Sequence, residues 1–127
     1  MHPVLIDTDI AIDYLRGMLY AKELIEPLWD FNMAYFSVLS VYELWAGMRD
    51  NEKEDTFNFI KACNIEDITP EIAVKGGELY KQYRTKGITL TSIDCLIAAT
   101  AITKKHKIAT RNVEHYPEKG LLLRFKS

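Results

Sequence analysis

The chain has 127 residues, of which 48% are apolar and 27% charged, and its formal net charge is -2. Such values fit one globular domain that buries about two thirds of its unfolded surface, and they exclude a disordered tail protein. They also exclude binding to nucleic acid through bulk positive charge, although clustered carboxylates can mask a local basic rim. Cys63 and Cys95 lie far apart, in neither a redox nor a zinc-ligand spacing, and read as reduced, buried thiols. Asp7 and Asp9 interrupt the N-terminal apolar run, unlike a signal peptide, and no stretch approaches the ~18 apolar residues of a membrane span. A cytoplasmic protein with no membrane association is the expectation.

Val4-Leu5-Ile6 is a short apolar run ending at an acid, as a central parallel strand buried on both faces should be. Ile10, Ala11 and Tyr14 then take up helical spacing as far as Gly17, and a second helix fits 19–30. Residues 34–38 read as another buried strand. Ser40 with Glu43 three positions later has capping-box spacing and predicts a helix over 41–48. A helix over 52–62 and a short edge strand over 65–68 follow. Thr69-Pro70-Glu71 combines a capping hydroxyl, proline at the first helical position and an acid in the first turn, which starts a helix running to about Lys86. Thr91 and Asp94 repeat the capping-box spacing before the most apolar helix of the chain. Residues 107–110 predict a strand, 112–116 a turn and 121–125 a last strand. Strands alternating with helices call for a mostly parallel, five-stranded sheet with right-handed crossovers and helices on both faces, in a single domain spanning 1–127.

Three acids stand where an apolar strand gives out or a helix begins: Asp7, Glu43 and Asp94. In an open parallel sheet those places crowd into one crevice. Two carboxylates about 5 Å apart at an effective dielectric near 20 repel by roughly 3 kcal/mol, so three of them ask for a divalent cation or a shared proton. Each also has a plainer reading: Glu43 and Asp94 fit the acidic position of a capping box, and Asp7 or Asp9 can cap the helix that starts near Ile10.

The segments Leu5-Ile6-Asp7-Thr8-Asp9, Ser40-Val41-Tyr42-Glu43-Leu44-Trp45-Ala46-Gly47, Asp94-Cys95-Leu96-Ile97-Ala98-Ala99-Thr100-Ala101 and Ala109-Thr110-Arg111-Asn112 together resemble the PIN-domain ribonucleases, and among them the VapC-type toxins of toxin–antitoxin pairs. The resemblance spans the whole chain. It implies a three-layer α/β/α fold, Mg²⁺ or Mn²⁺ at the acidic cluster, hydrolysis of RNA, a VapB-type antitoxin as partner and a homodimer, with no organic cofactor. Asp7, Glu43 and Asp94 match the family's metal-binding, catalytic carboxylates. Thr8, Asp9 and Thr110 would shape the turn and support those ligands.

The last motif departs from the family, which commonly has Asp three positions after the Asn. Here the order is Asn112-Val113-Glu114-His115-Tyr116, so a fourth ligand would come from Asn112, Glu114 or His115, or from none of them. A ligating His115 would favour Mn²⁺, because imidazole suits it better than Mg²⁺. For phosphate contact the motif offers Arg111, with Arg16 and Arg49 after helices that begin at the crevice. Lys104, Lys105, His106 and Lys107 form a further basic run. The Asp-x-Asp after a strand also resembles haloacid-dehalogenase-type phosphatases, with Asp7 as nucleophile, although Ala11 departs from that pattern. A PIN-like module with a degraded site, binding RNA or protein without chemistry, is the non-enzymatic alternative.

Overall fold

The computed structural model describes residues 2–127. Its sheet has four parallel strands, β1 (Val4–Ile6), β2 (Ala34–Ser37), β3 (Asn64–Glu66) and β4 (Lys107–Ala109), in the order β3-β2-β1-β4. The helices are α1 (Thr8–Leu15), α2 (Leu19–Asp30), α3 (Val38–Gly47), α4 (Lys53–Ala62), α5 (Pro70–Thr85) and α6 (Ser92–Lys104).

Alternation along β1 divides the core in two, as a strand buried on both faces requires. Val4 and Ile6 point to one side, where Ile10 and Ala11 of α1, Ile25 and Leu28 of α2, Leu44 of α3 and Phe59 of α4 pack with Phe36 of β2. Leu5 points to the other, against Ile72 and Leu79 of α5, Ile97, Ala98 and Ala101 of α6, and Tyr116. The result is the expected α/β/α sandwich. The two longest helices cross at Gly76, where an added Cβ would come within 2.9 Å of the Leu96 side chain. Gly17 and Gly87, with φ of 79° and 78°, end α1 and α5 in the left-handed conformation that glycine adopts at no steric cost.

Three sequence expectations need correction. The fifth strand does not form: Lys119–Leu121 is a 3₁₀ turn, and only Leu122 bridges Ile108, with the Leu123 N–H on the Ile108 carbonyl at 2.8 Å. Beyond that point Phe125 stacks on the Tyr20 ring at 6.0 Å, which carries the chain off the sheet edge. The third helix begins at Val38 rather than 41, because Ser37 at the end of β2 is the cap and its Oγ accepts from Leu39 N–H at 3.1 Å. Strand thus passes directly into helix. Ser40 is fully buried inside α3 with its hydroxyl unpartnered, and Glu43 lies in the second turn, so the capping-box reading of that pair fails. The basic run, finally, sits at the end of α6 and the start of β4, the opposite end of the strand from the carboxyl edge. Its His106 is buried, on Glu66 Oε2 at 2.9 Å.

No helix among the described residues is long and apolar enough to cross a membrane.

Candidate active site

Asp7 follows β1 directly, and its N–H extends the sheet by donating to the Ala109 carbonyl at 2.9 Å. Its backbone is extended and it caps α1: Oδ1 accepts from Thr8 N–H at 2.9 Å. Two hydroxyls serve the other oxygen, Oδ2, those of Thr110 at 2.9 Å and Tyr116 at 3.0 Å. Glu43 approaches from α3, its Oε1 accepting from the Thr8 hydroxyl at 2.8 Å. Asp94 lies in the first turn of α6, placed by the Thr91 cap, whose Oγ1 accepts from Asp94 N–H at 3.1 Å. Its carboxylate is turned to the crevice, where Oδ2 lies 3.6 Å from His115 Nδ1.

These three acids line one cleft of about 290 Å³ at the carboxyl edge of the sheet. Thr8, Asp9, Thr91, Ile93, Asn112 and His115 complete its wall. Of the three groups offered for a fourth ligand, Asn112 and His115 face the cleft, whereas Glu114 is exposed and outside it.

The electrostatics of the cleft centre on Asp7. Burial, reinforced by the charge of Asp9, pushes its pKa up to about 6 against the pull of its three hydrogen bonds. Burial also raises Asp9. Tyr116, only 1% exposed, is driven far above the ordinary phenol range by burial and by the charges of Asp7 and Asp94, so its hydroxyl keeps its proton and donates.

Asp7, Asp9 and Glu43 are each held by donors of their own, and among the described residues no three acidic, imidazole or thiol groups are drawn together tightly enough to hold an ion as they stand. The donor set nevertheless suits one. Four carboxylates, an amide carbonyl and hydroxyls are the hard oxygen ligands that Mg²⁺ and Mn²⁺ take, and a nearby cation would offset the cost of ionising the buried Asp7.

The remaining site residues divide by what they touch. Asp9 holds the turn after β4, accepting from Arg111 N–H at 2.8 Å with Oδ2 and from Ile10 N–H at 2.9 Å with Oδ1. Thr110 braces the same turn by accepting from Asn112 N–H at 3.0 Å. Arg111 does not reach into the cleft: its Nε donates to the buried Asp13 at 2.7 Å and to Tyr20 at 3.1 Å. Tyr20 also donates to Asp13. Arg16, exposed at the end of α1, shares with Glu43 a separate small groove lined by Ile12, Leu15, Leu44 and Met48. Arg49 is exposed, and its N–H closes a turn on Glu52 at 2.6 Å.

Sequence reasoning missed two of these roles. Tyr116 stands in the turn expected over 112–116, and nothing in its spacing points to a carboxylate. The Asp13 pairing did leave a signal: Asp9 and Asp13 stand one helical turn apart, a like-charge spacing that asks for a cation between them.

A PIN-domain family profile matches residues 4–116. The chain belongs to the PIN-domain family. Within it the similarity is to VapC proteins: 39% identity over 114 residues to Ribonuclease VapC19 of Mycobacterium tuberculosis, covering 89% of this chain and 91% of that one. Ribonuclease VapC10 of the same organism is 34% identical over 115 residues, covering 90% and 86%. Among solved structures, DNA-bound VapBC from Salmonella typhimurium superposes with a TM-score of 0.79 at 17% identity, covering 96% of each chain. A toxin–antitoxin complex from Klebsiella pneumoniae gives 0.77 at 24% identity, covering 95% and 96%. These two likenesses establish the fold. With the PIN family shown, the phosphatase reading of Asp7 lapses; the burial of that carboxylate beneath three donors also makes it a poor nucleophile.

Proposed function

We propose that this protein is a metal-dependent endoribonuclease, the toxin of a type II toxin–antitoxin pair, acting in the cytoplasm. One observation carries the chemical part: Asp7, Glu43 and Asp94, from three distant segments, open on a single cleft that holds no thiol or amine nucleophile. Names of relatives at 34% and 39% identity support the ribonuclease assignment.

Asp7, Glu43 and Asp94 would hold Mg²⁺ or Mn²⁺, with Asn112 and His115 as the further groups in reach. When bound, such a cation makes water a competent nucleophile and offsets charge developing on the phosphate. The protein's own part is positional. Asp7 is fixed at the strand end by its three donors. Glu43, steadied by Thr8 on one oxygen, has the other to orient an attacking water. His115 faces Asp94 across the cleft, its Nδ1 3.6 Å from Oδ2.

Substrate capture requires cations near the cleft that the net charge hides. Arg16 lies in the groove next to Glu43, and the turn after β4 leads into a larger groove of about 560 Å³ with Lys119 and Arg124 in its wall. Arg111 lines that groove too, although its Nε is committed to Asp13.

A VapB-type antitoxin would cover the cleft, and the groove beside Glu43, with Ile12, Leu15, Leu44 and Met48 in its wall together with Arg16 and Glu52, suits an inserted side chain. Leu19, Phe31, Tyr42, Trp45 and Phe57, all exposed within 19–62, support that segment as the surface for the antitoxin and for a second copy.

Incubating wild type and Asp94→Asn with a defined single-stranded RNA, with Mg²⁺, with Mn²⁺ and with chelator, tests the reading. Cleavage by wild type alone, abolished by chelator, is expected. Cleavage indifferent to both chelator and substitution would overturn it, and RNA binding without cleavage under any cation would favour the degraded module.

A further inference from the structure

We propose that Tyr116 is a specificity-determining residue of the cation site: with Thr110 it saturates Oδ2 of Asp7, leaves that carboxylate one oxygen to offer, and so disfavours Ca²⁺. The inference rests on the metal-dependent reading above.

An ionised carboxylate presents about four lone-pair directions. In Asp7 three are taken. The Thr8 N–H uses one on Oδ1, at 2.9 Å, and the Thr110 and Tyr116 hydroxyls use both on Oδ2, at 2.9 and 3.0 Å. The remaining direction belongs to Oδ1, so Asp7 can bind a cation through that oxygen and not through both. Neither donor on Oδ2 is free to leave. Tyr116 is 1% exposed, with its ring packed between α5 and α6, and Thr110 is 3% exposed and tied to Asn112 N–H.

The two common hard cations differ in what they ask of a carboxylate. Ca²⁺ takes ~6–8 oxygens in a flexible shell and often grips both oxygens of one carboxylate, whereas Mg²⁺ keeps a near-octahedral shell at ~2.0–2.1 Å and takes single oxygens. A carboxylate restricted to one oxygen costs Mg²⁺ nothing and deprives Ca²⁺ of a bidentate ligand. Phenylalanine at position 116 would fill the same core space without the donor, so the hydroxyl is separable from the packing.

The measurement is calorimetric titration of the purified protein with MgCl₂ and with CaCl₂, without RNA, for wild type, Tyr116→Phe, Thr110→Val and Thr110→Ser. Tyr116→Phe frees a lone pair on Oδ2, and the ratio of Ca²⁺ to Mg²⁺ affinity should rise about tenfold, the scale on which groups behind metal ligands act. Thr110→Val should move the ratio the same way, while Thr110→Ser, which keeps the donor, should match wild type. A merely structural Tyr116 would alter both affinities by a common factor or leave them unchanged, and either result overturns the inference while the metal reading stands. Wild type that binds neither ion, nor Mn²⁺ in a parallel titration with MnCl₂, overturns the metal reading itself, and is recognised before any variant is made.

Discussion

Thr8 Oγ1 donates to Glu43 Oε1 at 2.8 Å, so the first residue of α1 grips the second turn of α3. This bond fixes where one carboxylate stands relative to another, since Thr8 also gives its N–H to Asp7. Thr8→Val removes the hydroxyl and leaves the backbone bond. Glu43 is half-buried and can turn to water, so stability should fall by less than about 1 kcal/mol. Turnover of RNA should drop about tenfold with KM little changed, because the mispositioned group acts in the reaction rather than in binding. Thr8→Ser should restore it. Steady-state cleavage of a short RNA by the three proteins checks this.

The buried carboxylate of Asp7 sets a pH dependence of stability. Its folded pKa of about 6 lies above the ordinary value of 3.8, so the folded state binds this proton more tightly than the unfolded chain does. Stability from this group is therefore present at low pH, declines as pH rises from about 4 to 6, and is absent above. The cost of the ionised form near pH 7 is about 3 kcal/mol, from roughly two pKa units at 1.36 kcal/mol each. In chelator, Asp7→Asn should accordingly be more stable than wild type at pH 7.5, by up to about 3 kcal/mol less whatever its hydrogen bonds lose, with the advantage fading toward pH 4. Saturating Mg²⁺ should stabilise wild type and not the variant. Urea denaturation at several pH values, with and without the ion, measures both effects.

Which parts of this molecule could be read from its residues follows from how local their causes are. Thr69-Pro70 and Thr91 announced α5 and α6 correctly because capping is decided within one turn. Ser37 was passed over for Ser40 because both precede an apolar helix, and only the register of β2 decides which hydroxyl meets free N–H groups. The stretch 121–125 has strand composition, yet its fate was settled by Phe125 meeting Tyr20, a contact across nearly the whole chain. In the site, Asp7 at the end of β1 and Asp94 in the first turn of α6 stand where topology alone placed them, whereas Glu43 faces the cleft from the second turn of α3 rather than from a helix start. The hydrogen-bond partners of Asp7 were not legible in that way, since Tyr116 and Thr110 reach it from the far end of the sequence.

Arg111 illustrates the same limit, with a consequence that can be measured. Its motif position suggested a phosphate contact, but its Nε is bonded to Asp13, a carboxylate with a side chain only 4% exposed. Removing the guanidinium leaves that acid buried with Tyr20 as its remaining partner. Arg111→Ala should destabilise the protein by about 1–3 kcal/mol, below the range for a fully buried pair because the arginine side chain is itself 46% exposed. A double-mutant cycle with Asp13→Asn should return a coupling of about 1–2 kcal/mol. Additive losses would mean that the pair does not hold the turn after β4.

The His106–Glu66 pair makes the opposite prediction about activity. Glu66 ends β3 at one edge of the sheet and His106 precedes β4 at the other, and they meet at 2.9 Å across the face that carries Tyr35, whose ring stacks on the imidazole at 4.3 Å. The second ring nitrogen, Nδ1, is buried without a partner, so Glu66→Ala would leave the whole imidazole unsatisfied. A buried polar group stripped of its only partner costs about 1–3 kcal/mol, and that loss should appear in urea denaturation. RNA cleavage by the folded fraction should be unchanged, because His106 lies at the opposite end of β4 from Thr110 and the cleft. His106→Phe keeps the stack on Tyr35 and removes the orphaned nitrogen, so combined with Glu66→Leu it should recover most of the stability. A large fall in turnover by either variant would show that this pair transmits to the site.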